Sequence, residues 1–134
     1  MRFKRMLLVW VGSGISLLAF LFALACAGQQ KPVTIEPGER TVQLKASDFK
    51  FEPNDLKAYQ GDVLTTHVEN VSGTTHNLTV KNPQGNVLAD VDISPRGTAT
   101  AEVRLADTGT YPFYCNKTMH PTLGMKRKIE VSPK

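Results

Sequence analysis

Cysteine is nearly missing from this chain: two occur in 134 residues, at positions 26 and 115. Cys26 belongs to an apolar N-terminal run, so Cys115 is the single thiol of everything after it and has no disulfide partner there. A surplus of one charge is missing as well. Of 16 Lys and Arg, three (Arg2, Lys4 and Arg5) precede the apolar run, and the remaining 13 stand against 12 Asp and Glu. A nucleic-acid interface needs a clear basic excess, so that class is excluded. No internal repeat is present, no convincing helical period follows residue 28, and the length allows one modest domain rather than two cores.

What is present begins with an address. Met6 to Ala27 runs for 22 residues without a charge, directly behind the basic cluster. This pattern is an export signal or an N-terminal membrane anchor, with the positive flank staying inside and the remainder sent outward. Three outcomes are compatible with it. Ala23-Leu24-Ala25-Cys26 resembles a bacterial lipobox, with Cys26 as the lipidated first residue, although Ala23 stands where such boxes usually have Leu. The length also suits an uncleaved spanning helix, and cleavage with full release is the third. The expected organisation is therefore a signal or anchor over 1–27, a Pro- and Gly-bearing linker over 28–40, and one domain over 41–134. A lone thiol in an oxidising compartment is a liability unless it has a task.

From Thr41 on, apolar residues recur at every second position in short runs cut by turn signals, the signature of half-buried strands. Val42, Leu44 and Ala46 share a face, and Phe49 and Phe51 are expected to continue it. Leu64, Thr66 and Val68 alternate with Val63, Thr65, His67 and Glu69, which places His67 on the surface. His76, Leu78 and Val80 share a face; so do Ala99, Ala101, Val103 and Leu105; so do Tyr111, Phe113 and Cys115; and Ile129 and Val131 point inward near the end. Val87 to Val91 forms a weaker run. Seven or eight strands at this spacing predict an all-β Greek-key sandwich. Asp107-x-Gly109-x-Tyr111 resembles the tyrosine corner of immunoglobulin domains, but without the cysteine pair that would bridge the sheets.

Chemistry concentrates in eleven residues, Cys115-x4-His120-x4-Met125, which start where one strand ends and finish where the next begins. His76-Asn77 opens an earlier strand. A thiolate, two imidazoles and a thioether match a trigonal His2Cys site with a weak axial methionine, which binds one copper ion and passes single electrons. Softness explains the types: sulfur ligands favour Cu(I), while imidazole suits Cu(I) and Cu(II). The short loop brings three ligands around one ion, and the fourth, His76, is expected from the opposing sheet. Asn77 is expected to brace the ligand loop. Plainer readings exist for each residue alone: a buried thiol, a satisfied core histidine, a methionine filling the core. Met119 competes for the axial place, but its adjacency to His120 should point it elsewhere.

On these residues, and on Asp48-Phe49-Lys50-Phe51-Glu52-Pro53, Gly61-Asp62, Gly109 to Tyr114 and Gly124-Met125-Lys126, the chain resembles the cupredoxins. Its ligand loop is similar in length to those of auracyanin- and rusticyanin-type members and longer than in plastocyanins. The resemblance implies a monomeric soluble or tethered shuttle whose second imidazole, His120, lies in an apolar patch of Met119, Pro121 and Leu123 where redox partners dock. Two departures stand out. Thr118-Met119-His120 replaces the more usual Pro-Gly-His, and Arg127 stands where glycine is common. The run Lys126-Arg127-Lys128 either is a solvated strand end or favours acidic partners. Copper capture or delivery without electron transfer and a metal-free interaction module are the competing classes. An enzyme is the least expected, since four protein ligands leave no position for substrate.

Overall fold

A strand whose one face lies against a second sheet buries every other side chain. The computed structural model, which describes residues 32–34 and 41–134, realises this pattern along most of the chain. Among those residues ten strands form: β1 (Val33–Thr34), β2 (Thr41–Ser47), β3 (Lys50–Glu52), β4 (Leu56–Tyr59), β5 (Val63–Asn70), β6 (His76–Lys81), β7 (Val87–Ile93), β8 (Thr98–Arg104), β9 (Gly109–Tyr114) and β10 (Lys126–Ser132). They make a six-stranded sheet in the order β1-β4-β10-β9-β6-β7 and a four-stranded sheet in the order β3-β2-β5-β8. The all-β Greek-key sandwich is therefore the fold. The strands beyond the expected number are two or three residues long, β1 and β3, too short for alternation to register. β1 lies within the stretch 28–40 and pairs in parallel with Leu56 and Lys57.

The core is the space between the two inner faces. Val42, Leu44, Ala46, Leu64, Val68 and Val103 meet Leu56, Leu78, Val80, Tyr111, Phe113, Ile129 and Val131, all buried. Each large side chain withdrawn from water in this way contributes about 1.5–3 kcal/mol. Phe51 and Phe113 touch across the layers with ring centroids 5.6 Å apart. The tyrosine corner forms as the sequence suggests: the buried Tyr111 hydroxyl accepts from the Asp107 amide at 2.9 Å and donates to the Asp107 carbonyl at 3.0 Å. A buried phenol is thereby satisfied, and the turn into β9 is held.

Phe49 does not continue the inward face. It lies in the turn between β2 and β3 and is 37% exposed, because the chain reverses there and only Phe51 returns to the core. His67 is on the surface, its Nδ1 2.9 Å from the Thr100 hydroxyl. Among the described residues no helix is long and apolar enough to cross a membrane. The expected signal or anchor over 1–27, with Cys26, lies outside the described residues.

Candidate metal centre

Three strand ends meet at one end of the six-stranded sheet, on its interior strands β10, β9 and β6. β9 delivers Cys115, β6 opens with His76, and the loop leading to β10 carries His120 and ends at Met125. β6 pairs directly with β9, with Thr79 opposite Tyr114 and Val80 opposite Phe113. His76 thus comes from the same sheet as the other ligands, which corrects the expectation of an opposing-sheet ligand. Sheet membership follows from long-range pairing, and alternation along a strand carries no record of it.

The donor atoms of His76, Cys115 and His120 lie within 4.8 Å of one another. The Cys115 Sγ is 3.2 Å from His120 Nδ1, which is 3.3 Å from His76 Nδ1. A d-block ion with bonds of about 2.0–2.3 Å fits among donors spaced like this. Met125 is fully buried, and its backbone is tied to two of the ligands: its carbonyl accepts from the Cys115 amide at 3.1 Å, and its amide donates to the His120 carbonyl at 3.0 Å. Two sulfurs and two imidazoles in this setting suit one copper ion in either oxidation state.

The loop holds its shape through its own backbone. The His120 amide donates to the Lys117 carbonyl at 3.1 Å and the Leu123 amide to the Met119 carbonyl at 3.0 Å. Met119 adopts the left-handed region with φ +68°, uncommon outside glycine, and its side chain is 60% exposed. It is therefore not the axial candidate. Gly124, at φ +108°, turns the chain into Met125, a conformation L side chains rarely take. Arg127 donates from Nη1 to the Gly124 and Lys126 carbonyls at 3.0 and 2.8 Å, and Lys128 pairs with Glu130 at 2.5 Å. Two members of the basic run are thus engaged within the chain.

Asn77 lies between β7 and the start of the ligand loop. Its Nδ2 donates to Asp90 at 2.6 Å and Asp92 at 3.1 Å, while its Oδ1 accepts from the Thr79 hydroxyl at 2.6 Å and, at 3.4 Å, from the Asn116 amide beside Cys115. Lys117 closes on Asp92 at 2.7 Å, and this bond, followed by the one from Asn77, holds the Asp92 carboxyl below its ordinary range.

Three contacts to the imidazoles escaped the sequence reading. Ser72 Oγ and Asp48 Oδ1 lie 2.9 and 3.2 Å from His76 Nε2, and the Phe49 ring meets the His120 ring edge-on at 5.0 Å. With acceptors at Nε2, the His76 proton sits there and Nδ1 keeps its lone pair for the metal. Burial, then the neighbouring His120, push His76 below its ordinary value of 6.5, with Asp48 working partly against them. Asp48 and Phe49 occur in the stretch Asp48 to Pro53, but nothing in their spacing ties them to His76 or His120.

No match was found among curated proteins. Solved structures do match. One is reduced auracyanin from Roseiflexus castenholzii, 18% identical, covering 72% of this chain and 100% of that one with a TM-score of 0.65. Another is auracyanin A, a blue copper protein of Chloroflexus aurantiacus, 19% identical, covering 69% and 98% with a TM-score of 0.61. The Blue Copper Oxidase of Nitrosomonas europaea also matches, 21% identical with a TM-score of 0.60, over 71% of this chain and only 39% of that one. These likenesses bear on the fold. The model of the Cupredoxin-like domain matches residues 14–128, and on that match, joined to a β-sandwich that gathers two imidazoles and a thiol at one end, the chain belongs to the cupredoxin-like family.

Proposed function

We propose that this chain is an exported, membrane-tethered blue-copper protein that carries single electrons between redox partners. The observation that carries the reading is the convergence of the His76, Cys115 and His120 donor atoms within 4.8 Å, all three residues buried, with His76 and Cys115 at the ends of paired strands and His120 in the loop between β9 and β10. Copper supplies the one-electron couple. Cys115 contributes the strong thiolate, His76 and His120 the imidazoles, and Met125 the weak thioether. Because the strands hold the ligands in place, little must rearrange when the charge changes.

His120 is 9% exposed, against none for His76; the Phe49 ring lies edge-on to it, Met119 and Pro121 flank it in the chain, and Leu123 follows three residues on. Leu123 is 51% exposed. An imidazole edge inside a small apolar patch suits brief contact with another redox protein. Burial of the other ligands favours keeping the ion over handing it on, since delivery needs an acceptor's ligand to reach it. Four protein donors likewise favour a carrier over an enzyme, although relatives in fold include oxidases. The uncharged run behind Arg2, Lys4 and Arg5 supports export to the outer face of the membrane, held by a lipidated Cys26 or by an uncleaved helix.

The test is optical. The oxidised, copper-loaded chain is expected to show an intense visible thiolate-to-copper band that Cys115→Ser abolishes. A colourless wild type with a full copper complement defeats the reading.

A further inference from the structure

All four candidate ligands come from the six-stranded sheet or its ligand loop, yet the turn between β2 and β3 of the other sheet reaches both imidazoles. We propose that Asp48, carried on that turn, is a positioning residue for His76 whose negative charge biases the centre toward Cu(II). The inference rests on the copper reading above.

His76 Nε2 has one proton to donate and two oxygens within reach, Ser72 Oγ at 2.9 Å and Asp48 Oδ1 at 3.2 Å. Ser72 is itself held rigidly. Its hydroxyl faces Asn70 Oδ1 at 3.0 Å and the Thr74 carbonyl at 3.3 Å, and its oxygen accepts from the Thr74 amide at 3.2 Å. Asn70 is fixed in turn by the Thr74, Ser94 and Ile93 carbonyls at 2.7, 3.0 and 3.2 Å. Ser72 is therefore a neutral, fixed acceptor that orients the ring.

Asp48 is different in kind. It brings a formal charge to the far side of an imidazole whose near side faces the metal. A carboxylate at that place makes the imidazole a better donor and lowers the energy of the more positive oxidation state. Copper in the wild type is then harder to reduce than in a protein without the charge. Asp48 is 46% exposed, so its field is diluted by water and salt.

The experiment uses the full chain in detergent, loaded with copper, and compares the wild type with Asp48→Asn, Asp48→Glu and Ser72→Ala by visible and EPR spectra, midpoint potential and separate Cu(II) and Cu(I) affinities. Asp48→Asn keeps an oxygen acceptor and removes the charge. It is expected to retain the visible band, raise the potential, and weaken Cu(II) relative to Cu(I) binding by about three- to tenfold at low salt. The difference should shrink as salt rises, and Asp48→Glu should restore most of it. Ser72→Ala should instead alter the EPR signature through ring orientation. Asp48→Ser carries the same expectation as Asp48→Asn and serves if that variant does not fold. An intact band with an unchanged potential in the uncharged variants overturns this inference alone. Absence of the band from the wild type overturns it together with the copper reading.

Discussion

The six-stranded sheet and its loop hold Cys115, His120, Met125 and His76; the four-stranded sheet holds no candidate ligand, and reaches the site through the Asp48-Phe49 turn and through Ser72 on the connection from β5 to β6. The difference separates two tasks. Ligands on adjacent hydrogen-bonded strands keep their spacing because the ladder keeps it, and the Asn77 brackets tie that ladder to the loop. The turn from the opposite layer carries no ligand and touches the imidazoles from outside, at His76 Nε2 and at the His120 ring. One sheet thus determines whether the ion is held, and the other is placed to adjust how the ion behaves.

The comparison breaks first if the layers are uncoupled. Phe51 comes from β3 and meets Phe113 of β9, two residues before Cys115. Phe51→Ala is expected to cost about 3–5 kcal/mol, read by denaturant unfolding, with copper retention falling alongside. A loss under 1 kcal/mol would show that the layers are held together elsewhere. Asn77→Ala comes next, with an expected loss of about 1–3 kcal/mol because it leaves buried partners around Thr79 unsatisfied. Its potential should stay near the wild type, the reverse of Asp48→Asn, which should shift the potential and spare stability. Matching changes in both variants would erase the division between the sheets.

The smallest effect is that of pH on the metal-free protein. His76 titrates below its ordinary 6.5 when folded, so the unfolded chain binds a proton more readily. Stability from this group is complete above 6.5 and declines as pH falls from there toward the lower folded value. Copper, by occupying the lone pair, should move that decline to lower pH. Melting temperatures of both forms between pH 7 and 5 measure it, and identical profiles would remove His76 from the site.

Much of this was legible in the residues. Alternation along Thr41–Ser47 and Thr98–Arg104 marked strands and their buried faces, since period two is a local property of a pleated chain. The spacing of Cys115, His120 and Met125 was readable because one loop carries all three, and Asp107 to Tyr111 formed its corner within five residues. Phe49 was misplaced for the same reason: alternation carried past Ser47 cannot see that the chain reverses.

Sequence alone thus determined the kinds of donor, their order and the all-β class, because composition and short-range periodicity are written along the chain. Only the tertiary structure decided that β6 pairs beside β9, that Ser72 and Asp48 meet the far nitrogen of His76, and that Phe49 covers His120. Those contacts join residues far apart in sequence, and they exist because two sheets must bury their apolar faces against each other, a condition that belongs to the whole fold and to no single segment.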